Sequence, residues 1–528
     1  MARPLLLNGF MATGKSTVGR RVAELEGVPF EDLDDCIERR AGASVSEIFE
    51  SVGEAGFRKL EQAELERVLA SDARRVVAVG GGALLSRELR LTALERACVV
   101  TLEAPLEVIL TRVASTPRPL LAGPDPASRA SALLDARRAA YAESHARVDT
   151  THGDVDQAAC AVRDAWHRDP IAVAAGEQSY AVEVGHGILH QRWPALLGRT
   201  TGTLLVTDAN VQRAQAEALG RLGAGAGLFV LDAGEEHKTP RALEAVWRAA
   251  LAADLDRSGT FVAFGGGVVS DITGFAAATW MRGARWLAVP TTLLSMVDAS
   301  VGGKTAVDLD TAKNAVGAFW QPRAVLCDTA LLATEPERGF VSALSEVVKT
   351  ALVGDAELLA VLESQAEAVR SRAPAALREV VHRCVAVKAR IVSRDEREHG
   401  LRRVLNLGHT LGHALEACTG FRQYTHGEAV ALGLVAALQI GQRLGVTAAP
   451  LCQQVTDLLA RLGLPTDLAR SPIREAVDHL AHDKKRHGTY IHFVVVSAAG
   501  RAETQLLPIE QLRRLALASL SRRTDLVK

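Results

Sequence analysis

The hydrophobic pattern divides the chain into stretches of different periodicity. Over the first 165 residues, short runs of consecutive apolar residues alternate with helical spacing. Leu5-Leu6-Leu7, Val76 to Val79 and Val99 to Leu102 read as buried strands, while Ile37 to Ile48 and Phe57 to Leu69 read as helices. That alternation predicts a parallel sheet covered by helices. A helical pattern from Val155 to Trp166 leads to Arg168-Asp169-Pro170, and strands resume at Ile171 to Val173 and Tyr180 to Val184. Further strand candidates are Thr203 to Val206, Leu228 to Leu231, Phe261 to Phe264, Leu287 to Val289 and Val325-Leu326, separated by Gly-rich turns and helices. Beyond Pro336 the period is helical through about residue 465, and only Tyr490 to Val496 suggests a late strand. The predicted organisation is α/β over 1–168, Rossmann-like α/β over 169–335, and mostly α-helical over 336–528.

Composition narrows the function classes. At roughly 150 residues per domain, the 528 residues allow three or four domains. Hydrophobic residues at 48% and charged residues at 23% exclude long disorder. Lys+Arg 61 against Asp+Glu 62 leaves no basic excess for nucleic-acid binding. The apolar run after Met1 is too short for a signal peptide, and none approaches the roughly 20 residues that cross a bilayer. Seven dispersed cysteines without a C-x-x-C pair point to reduced thiols. The expectation is a cytoplasmic protein that binds neither nucleic acid nor membrane.

Gly9-Phe10-Met11-Ala12-Thr13-Gly14-Lys15-Ser16 fits G-x-x-x-x-G-K-S/T, after a strand pattern and before a helical one. Backbone N–H groups and the positive helix end there surround nucleotide phosphates. Lys15 neutralises β/γ charge, and the Ser16 hydroxyl ligates Mg2+. The loop leaves the phosphate acceptor open. Asp32-Leu33-Asp34, Gly53 to Arg58 and Gly80-Gly81-Gly82 bear on it. Two acids one residue apart divide metal and hydroxyl tasks, although such a pair also caps helices.

Together these runs resemble shikimate kinase over residues 1 to 165, with Arg118 to Pro124 similar to that family's lid. The resemblance implies ATP with Mg2+ as phosphoryl donor and shikimate as acceptor. It implies Gly9, Ala12, Thr13, Gly14, Lys15, Ser16, Thr17 and Arg118 at the nucleotide, Ser16 and Asp32 at Mg2+, and Arg112 beside the adenine. Asp34 and Lys15 are the implied catalytic pair, and Asp34, Arg58, Gly81, Gly82 and Arg137 hold shikimate. Ala12 stands where that family usually has Gly, so this position is expected to avoid φ > 0. The competing reading is a nucleotide-binding regulatory module without turnover.

In the helical stretch, His409 and His413 lie four residues apart on one helix face, and His426-Gly427-Glu428 follows. Glu346 opens Glu346-Val347-Val348-Lys349. Imidazoles with one carboxylate form the ligand set of a catalytic zinc, and no Glu follows His409 as H-E-x-x-H requires. Upstream, Gly265-Gly266-Gly267 follows a strand, and Lys304, Lys313, Lys349, Lys388, Arg282 and Arg402 accumulate beside Gly-rich turns. That accumulation suits a phosphorylated, acidic substrate.

The runs Gly265 to Asp271, Met281-Arg282-Gly283, Pro290 to Ala306, Lys313-Asn314 and Leu405 to His413 resemble dehydroquinate synthase, across roughly 171 to 510. The resemblance implies Glu346, His409 and His426 as ligands to zinc or cobalt. It implies NAD+ at Gly234, Glu235, Lys238, Gly266, Gly267, Val268, Val269, Ser270, Asp271, Thr291, Thr292, Lys304 and Lys313. The heptulosonate phosphate substrate is then held by Asp298, Asn314, Lys349, Lys388, Arg402, Asn406, His413 and Lys484, with Arg282 reaching a neighbouring subunit of a homodimer. His413, Lys304, Lys349 and Arg402 carry the implied catalysis. Ser270 stands where Gly is usual, and Thr350 where an aromatic residue or His is common. A metal-dependent polyol dehydrogenase is the alternative for this half. The resemblances imply two non-consecutive reactions of one pathway, the shikimate route to chorismate and the aromatic amino acids.

Overall fold

The computed structural model describes residues 3–114, 121, 125–223, 225–310, 312–482 and 486–520. It divides into two compact units, Met1–Glu183 and Val184–Lys528.

The first unit is built on a five-stranded parallel sheet in the order Phe30–Asp32, Val76–Ala78, Leu5–Asn8, Cys98–Glu103, Ala146–Asp149. Leu5 pairs with both Val76 and Cys98, so the first strand is central. Leu5, Leu6 and Leu7 are fully buried, because a strand covered on both faces needs consecutive rather than alternating apolar residues. The chain leaves this strand to one side and later returns to the other. Ligand loops therefore collect at the carboxyl ends of the strands, where Gly9, Asp32 and Gly80 stand.

One expectation changes here. Ile37 to Ile48 is two helices, Leu33–Ala41 and Val45–Leu69. Gly42 ends the first at φ 69°, and Ser44 with Glu47 opens the second as a capping box. Apolar spacing runs through this break, so periodicity alone misses it.

In the second unit, five parallel strands follow the order Ala324–Asp328, Arg285–Pro290, Thr260–Gly265, Thr203–Asp208, Gly227–Leu231. The order reverses between Thr203–Asp208 and Thr260–Gly265, so the crevice beyond Gly265 is the switch point. The helices Glu337–Gly354, Pro374–Arg394, His409–Cys418 and His426–Arg443 form the rest of the site's frame. From Ala429 to Leu438 every residue of the last helix is buried, as befits the centre of a helical layer.

Both stretches of the second unit hold more strand than expected. Lys304–Leu309 pairs antiparallel with Ala312–Phe319, and Tyr490–Ala498 pairs with Arg486–His487 and Arg501–Pro508. The strand Arg501–Pro508 is missed because half of its residues are polar and only Leu507 is buried. Among the described residues no helix is long and apolar enough to cross a membrane.

Candidate active sites

In the first unit, Gly9 (φ 134°) passes so close to the Leu102 carbonyl that a Cβ would overlap it. Gly14 (φ 91°) then caps the helix Lys15–Glu26 without a side-chain hydrogen bond, leaving its first N–H groups directed into the loop. Lys15 Nζ donates to the carbonyls of Gly9 and Phe10, each at 2.9 Å, which holds it over the loop. Buried Thr13 donates its hydroxyl to Phe10 O at 2.8 Å, while Thr17 is exposed on the first turn. Arg112 donates to Ala12 O at 3.3 Å and Thr150 O at 2.5 Å, so it braces the loop backbone. Ala12 overturns its expectation. Its φ is 60°, the conformation that the usual Gly adopts freely, and the fold imposes it on an L-residue.

Asp32 serves two elements at once. Its Oδ2 accepts from Ser16 Oγ at 2.6 Å, and its Oδ1 accepts from Asp34 N at 3.2 Å as the cap of Leu33–Ala41. Burial and the Asp32 charge push the Asp34 carboxyl up, with Lys15 opposing. Around Asp34 the residues expected to hold the acceptor converge. Arg58 pairs with Glu61 at 2.6 Å, and its guanidinium lies where a Cβ on Gly82 would fall. The Gly81 carbonyl accepts from Arg137 Nη1 at 3.1 Å and Tyr141 OH at 2.6 Å. Glu61 was missed by the sequence reading. Its Oε1 is buried without a hydrogen-bond partner, and burial raises its carboxyl against the pull of Arg58. The i,i+3 spacing from Arg58 was the available signal. Arg118 lies outside the described residues.

In the second unit, three helices bring Glu346, His409 and His426 together. His409 opens its helix after Gly408 (φ 79°), and His426 opens the next behind a Thr425–Glu428 capping box. Gly427 lets that helix touch Glu337–Gly354, since a Cβ there would overlap the Ser342 carbonyl. His409 Nε2 and His426 Nε2 each lie 3.4 Å from Glu346 Oε1. Both Glu346 oxygens are buried without an aligned hydrogen bond, and Lys349 is ion-paired against Oε2. A buried carboxylate lacking aligned donors and facing two imidazole nitrogens fits a divalent cation. Exposed His413 packs its ring 5.2 Å from that of His409.

Lys388 is ion-paired with Asp298, which stands on the π-helical turn Ser295–Ala299, a distortion frequent at functional sites. Burial pulls Lys388 down to about 8. Burial acts on Asp298 in the other direction, but Lys388 and Lys349 bring it down to about 2. Buried Arg402 donates to Glu396 O at 2.5 Å and Gly302 O at 3.3 Å. Glu398 was also missed. It pairs with Lys304 and accepts from Asn406 Nδ2 at 2.8 Å, joining two predicted residues.

At the switch point, Gly266 caps the helix Gly267–Thr279, whose first turn carries Val268, Val269 and Ser270. The hydroxyls of Ser270 and Thr291 are buried without partners, so polar capacity collects beside free helix N–H groups. Thr292 Oγ1 accepts from Ser295 N at 3.3 Å. Gly234 (φ 125°) precedes the turn of Glu235, and Lys238 Nζ reaches both Asp271 Oδ2 and Asn314 Oδ1 at 2.5 Å. Burial raises Asp271 to about 6 despite Lys238. Lys313 sits 4.3 Å over the Phe421 ring. Arg282 is exposed at φ 66°, and among the described residues no hydrogen bond or ion pair joins it to these clusters. Lys484 lies outside the described residues.

Family models agree with this two-site geometry. Residues 11–165 match shikimate kinase, 228–342 match 3-dehydroquinate synthase N-terminal and 343–486 match 3-dehydroquinate synthase C-terminal. The 3-dehydroquinate synthase of Acidithiobacillus ferrooxidans is 42% identical over 337 residues, 63% of this chain and 93% of that protein. The chain belongs to the 3-dehydroquinate synthase family. The synthase of Azotobacter vinelandii is 43% identical over 338 residues, 63% of this chain and 92% of that protein. The structure of 2-epi-5-epi-valiolone synthase from Streptomyces hygroscopicus subsp. jinggangensis 5008, with NAD+ and Zn2+ bound, is 30% identical. It superposes at TM-score 0.59 over 65% of this chain and 96% of that one. With a shikimate kinase in front of the synthase, the chain is a bifunctional shikimate-pathway enzyme, a kinase and a lyase in one polypeptide.

Proposed function

We propose that the first unit phosphorylates shikimate through Asp34 and Lys15, and that the second converts the heptulosonate phosphate to 3-dehydroquinate at the Glu346–His409–His426 centre. In the kinase half, Asp34 holds the acceptor hydroxyl and takes its proton, a role its raised pKa suits. Arg58 and Arg137 bind the carboxylate, and Gly81 and Gly82 admit the ring. Lys15 and the Lys15–Glu26 helix terminus stabilise transferred phosphoryl charge, with Mg2+ at Ser16 and Asp32.

In the synthase half, the donor set fits Zn2+ or Co2+, and the uncapped helix with the unpartnered Ser270 and Thr291 hydroxyls fits NAD+. Bound together, the two supply Lewis acidity and a reversible hydride acceptor at a ring carbon. Lys388 and Arg402 bind the substrate's anionic groups beside Asp298, Lys304, Asn314 and Asn406 orient them, and His413 moves a proton at the phosphate end. The observation that carries this reading is the buried Glu346 carboxylate, set between two imidazoles and Lys349. A polyol dehydrogenase site has no use for so many buried cations. Full-length protein given heptulosonate phosphate is expected to release inorganic phosphate with no net NADH; stoichiometric NADH overturns the reading.

A three-part division, with the boundary expected at 168/169 moved to follow residue 183, where the first compact unit ends, and the second boundary kept at 335/336, belongs to the same proposal, as do the cytoplasmic location and a homodimer through the synthase half. Supporting the last, Met281 (φ 48°) and Arg282 form a strained, exposed turn, and Phe319 is exposed beside Trp320, against which Gly283 packs. Mixing an Arg282→Ala chain with a Lys349→Ala chain is expected to restore activity to a fraction of mixed dimers. No restoration places Arg282 outside the neighbouring site.

A further inference from the structure

The two imidazoles of the metal trio are each held from behind, by different means. His409 Nδ1 lies 3.1 Å from the Leu407 carbonyl. His426 Nδ1 lies 3.5 Å from Glu416 Oε1, while its Nε2 faces Glu346. Glu416 is buried, and it shares one face of the helix His409–Cys418 with His409 and His413, at spacings of seven and three. That single face therefore presents one metal ligand and a carboxylate aimed at the back of another ligand.

We propose that Glu416 is the positioning residue of His426, fixing its proton on Nδ1 and its lone pair on Nε2, toward the metal. A carboxylate on the distal nitrogen sets the tautomer, restrains the ring and raises its basicity as a ligand. The carbonyl at His409 restrains its ring without a charge, so the two ligands differ in donor strength. Burying Glu416 is costly without a cationic or N–H partner, and the Nδ1–H of His426 is the donor it faces, with Lys313 adding positive charge nearby. This assignment rests on the reading of Glu346, His409 and His426 as the metal ligands. A second trio, His413, Glu416 and His426, also has its donor atoms within 4.8 Å of one another. In that arrangement Glu416 would itself be a ligand, and His413 rather than Glu346 would be indispensable.

The test is Co2+ titration of metal-stripped full-length protein, read by its visible absorption and by competition with a chelator. Glu416→Gln keeps the volume and loses the charge; Glu416→Ala removes the contact. We expect affinity to fall about 10-fold in the first and up to about 100-fold in the second, with a shifted cobalt band. The shikimate-dependent rate should be unchanged, and the metal-free circular dichroism and thermal transition should match wild type. If Glu416→Ala does not fold, Glu416→Gln decides alone. Unchanged affinity and band in a folded Glu416→Gln, while Glu346→Gln abolishes binding, overturn the inference and leave the metal assignment standing. If wild type takes up no Co2+, or if His413→Ala abolishes binding and Glu346→Gln does not, the metal assignment itself fails.

Discussion

Lys388 and Lys349 lie in one buried cluster yet titrate oppositely. Burial pulls both down, but Glu346 and Asp298 more than offset it at Lys349, whereas Lys388 stays at about 8 with Arg402 adding repulsion. The folded value of Lys388 is below the ordinary lysine value of about 10.4, so folding releases a proton between these limits. Stability from this group thus rises with pH across that window, while its ability to hold an anion falls. Phosphate release is expected to show kcat/KM declining as pH passes about 8, and Lys388→Arg should remove that limb because a guanidinium stays charged. A wild-type profile level to about pH 9.5 would show that Lys388 does not act as a cation. Ala12 offers a second residue-scale test. At φ 60° it carries left-handed strain of about 1 kcal/mol, partly offset in Ala12→Gly by about 0.5 kcal/mol of added unfolded-state freedom. The variant should gain up to about 0.5 kcal/mol in thermal unfolding of the kinase half; a loss would mean that the loop relaxes elsewhere.

At the scale of elements, three helices share one centre because glycine lets them approach. Gly427→Ala should cost about 3 kcal/mol through overlap with Ser342. It should also displace His426 and lower Co2+ affinity while shikimate-dependent ADP release persists; unchanged cobalt binding would show that the helix absorbs the methyl without moving its first residue. Elements of this kind explain what the sequence makes legible. The strands Leu5–Asn8 and Thr260–Gly265 announce themselves because both faces are buried, and the phosphate loop and paired histidines have fixed local spacing. Glu398 and Glu416 were silent, and Glu61 showed only its i,i+3 spacing from Arg58. Each acts through a partner rather than on a ligand, and for Glu398 with Lys304 the partner lies far off in sequence. The break at Gly42 and the strand Arg501–Pro508 were hidden for another reason: there, capping and edge pairing outweigh hydrophobic period.

For the whole molecule, the two centres depend on different ions, and this separates them experimentally. A zinc-selective chelator in excess Mg2+ should abolish phosphate release and leave ADP release intact; loss of both would show that the kinase half needs the synthase metal. The extent of the first unit gives a sharper test. Arg3 pairs with Asp169 at 2.5 Å and donates to the Pro170 carbonyl at 3.1 Å. Gly176 N donates to Glu143 Oε1 at 3.0 Å, and Ala172 and Ala174 are buried in the same apolar cluster as Leu6, Val77 and Val99. The residues after 168 thus complete the core on one side of the kinase sheet. Deleting them exposes apolar surface and strips a partner from Glu143, which is almost fully buried and also paired with Arg90 at 2.6 Å. Uncovering two alanines and a buried carboxylate contact amounts to about 2–4 kcal/mol, a large part of the stability of a domain this size. A fragment ending at residue 183 is therefore expected to keep shikimate-dependent activity and a cooperative thermal transition. One ending at 168 should melt several degrees lower, and equal melting of the two would remove residues 169–183 from the kinase core.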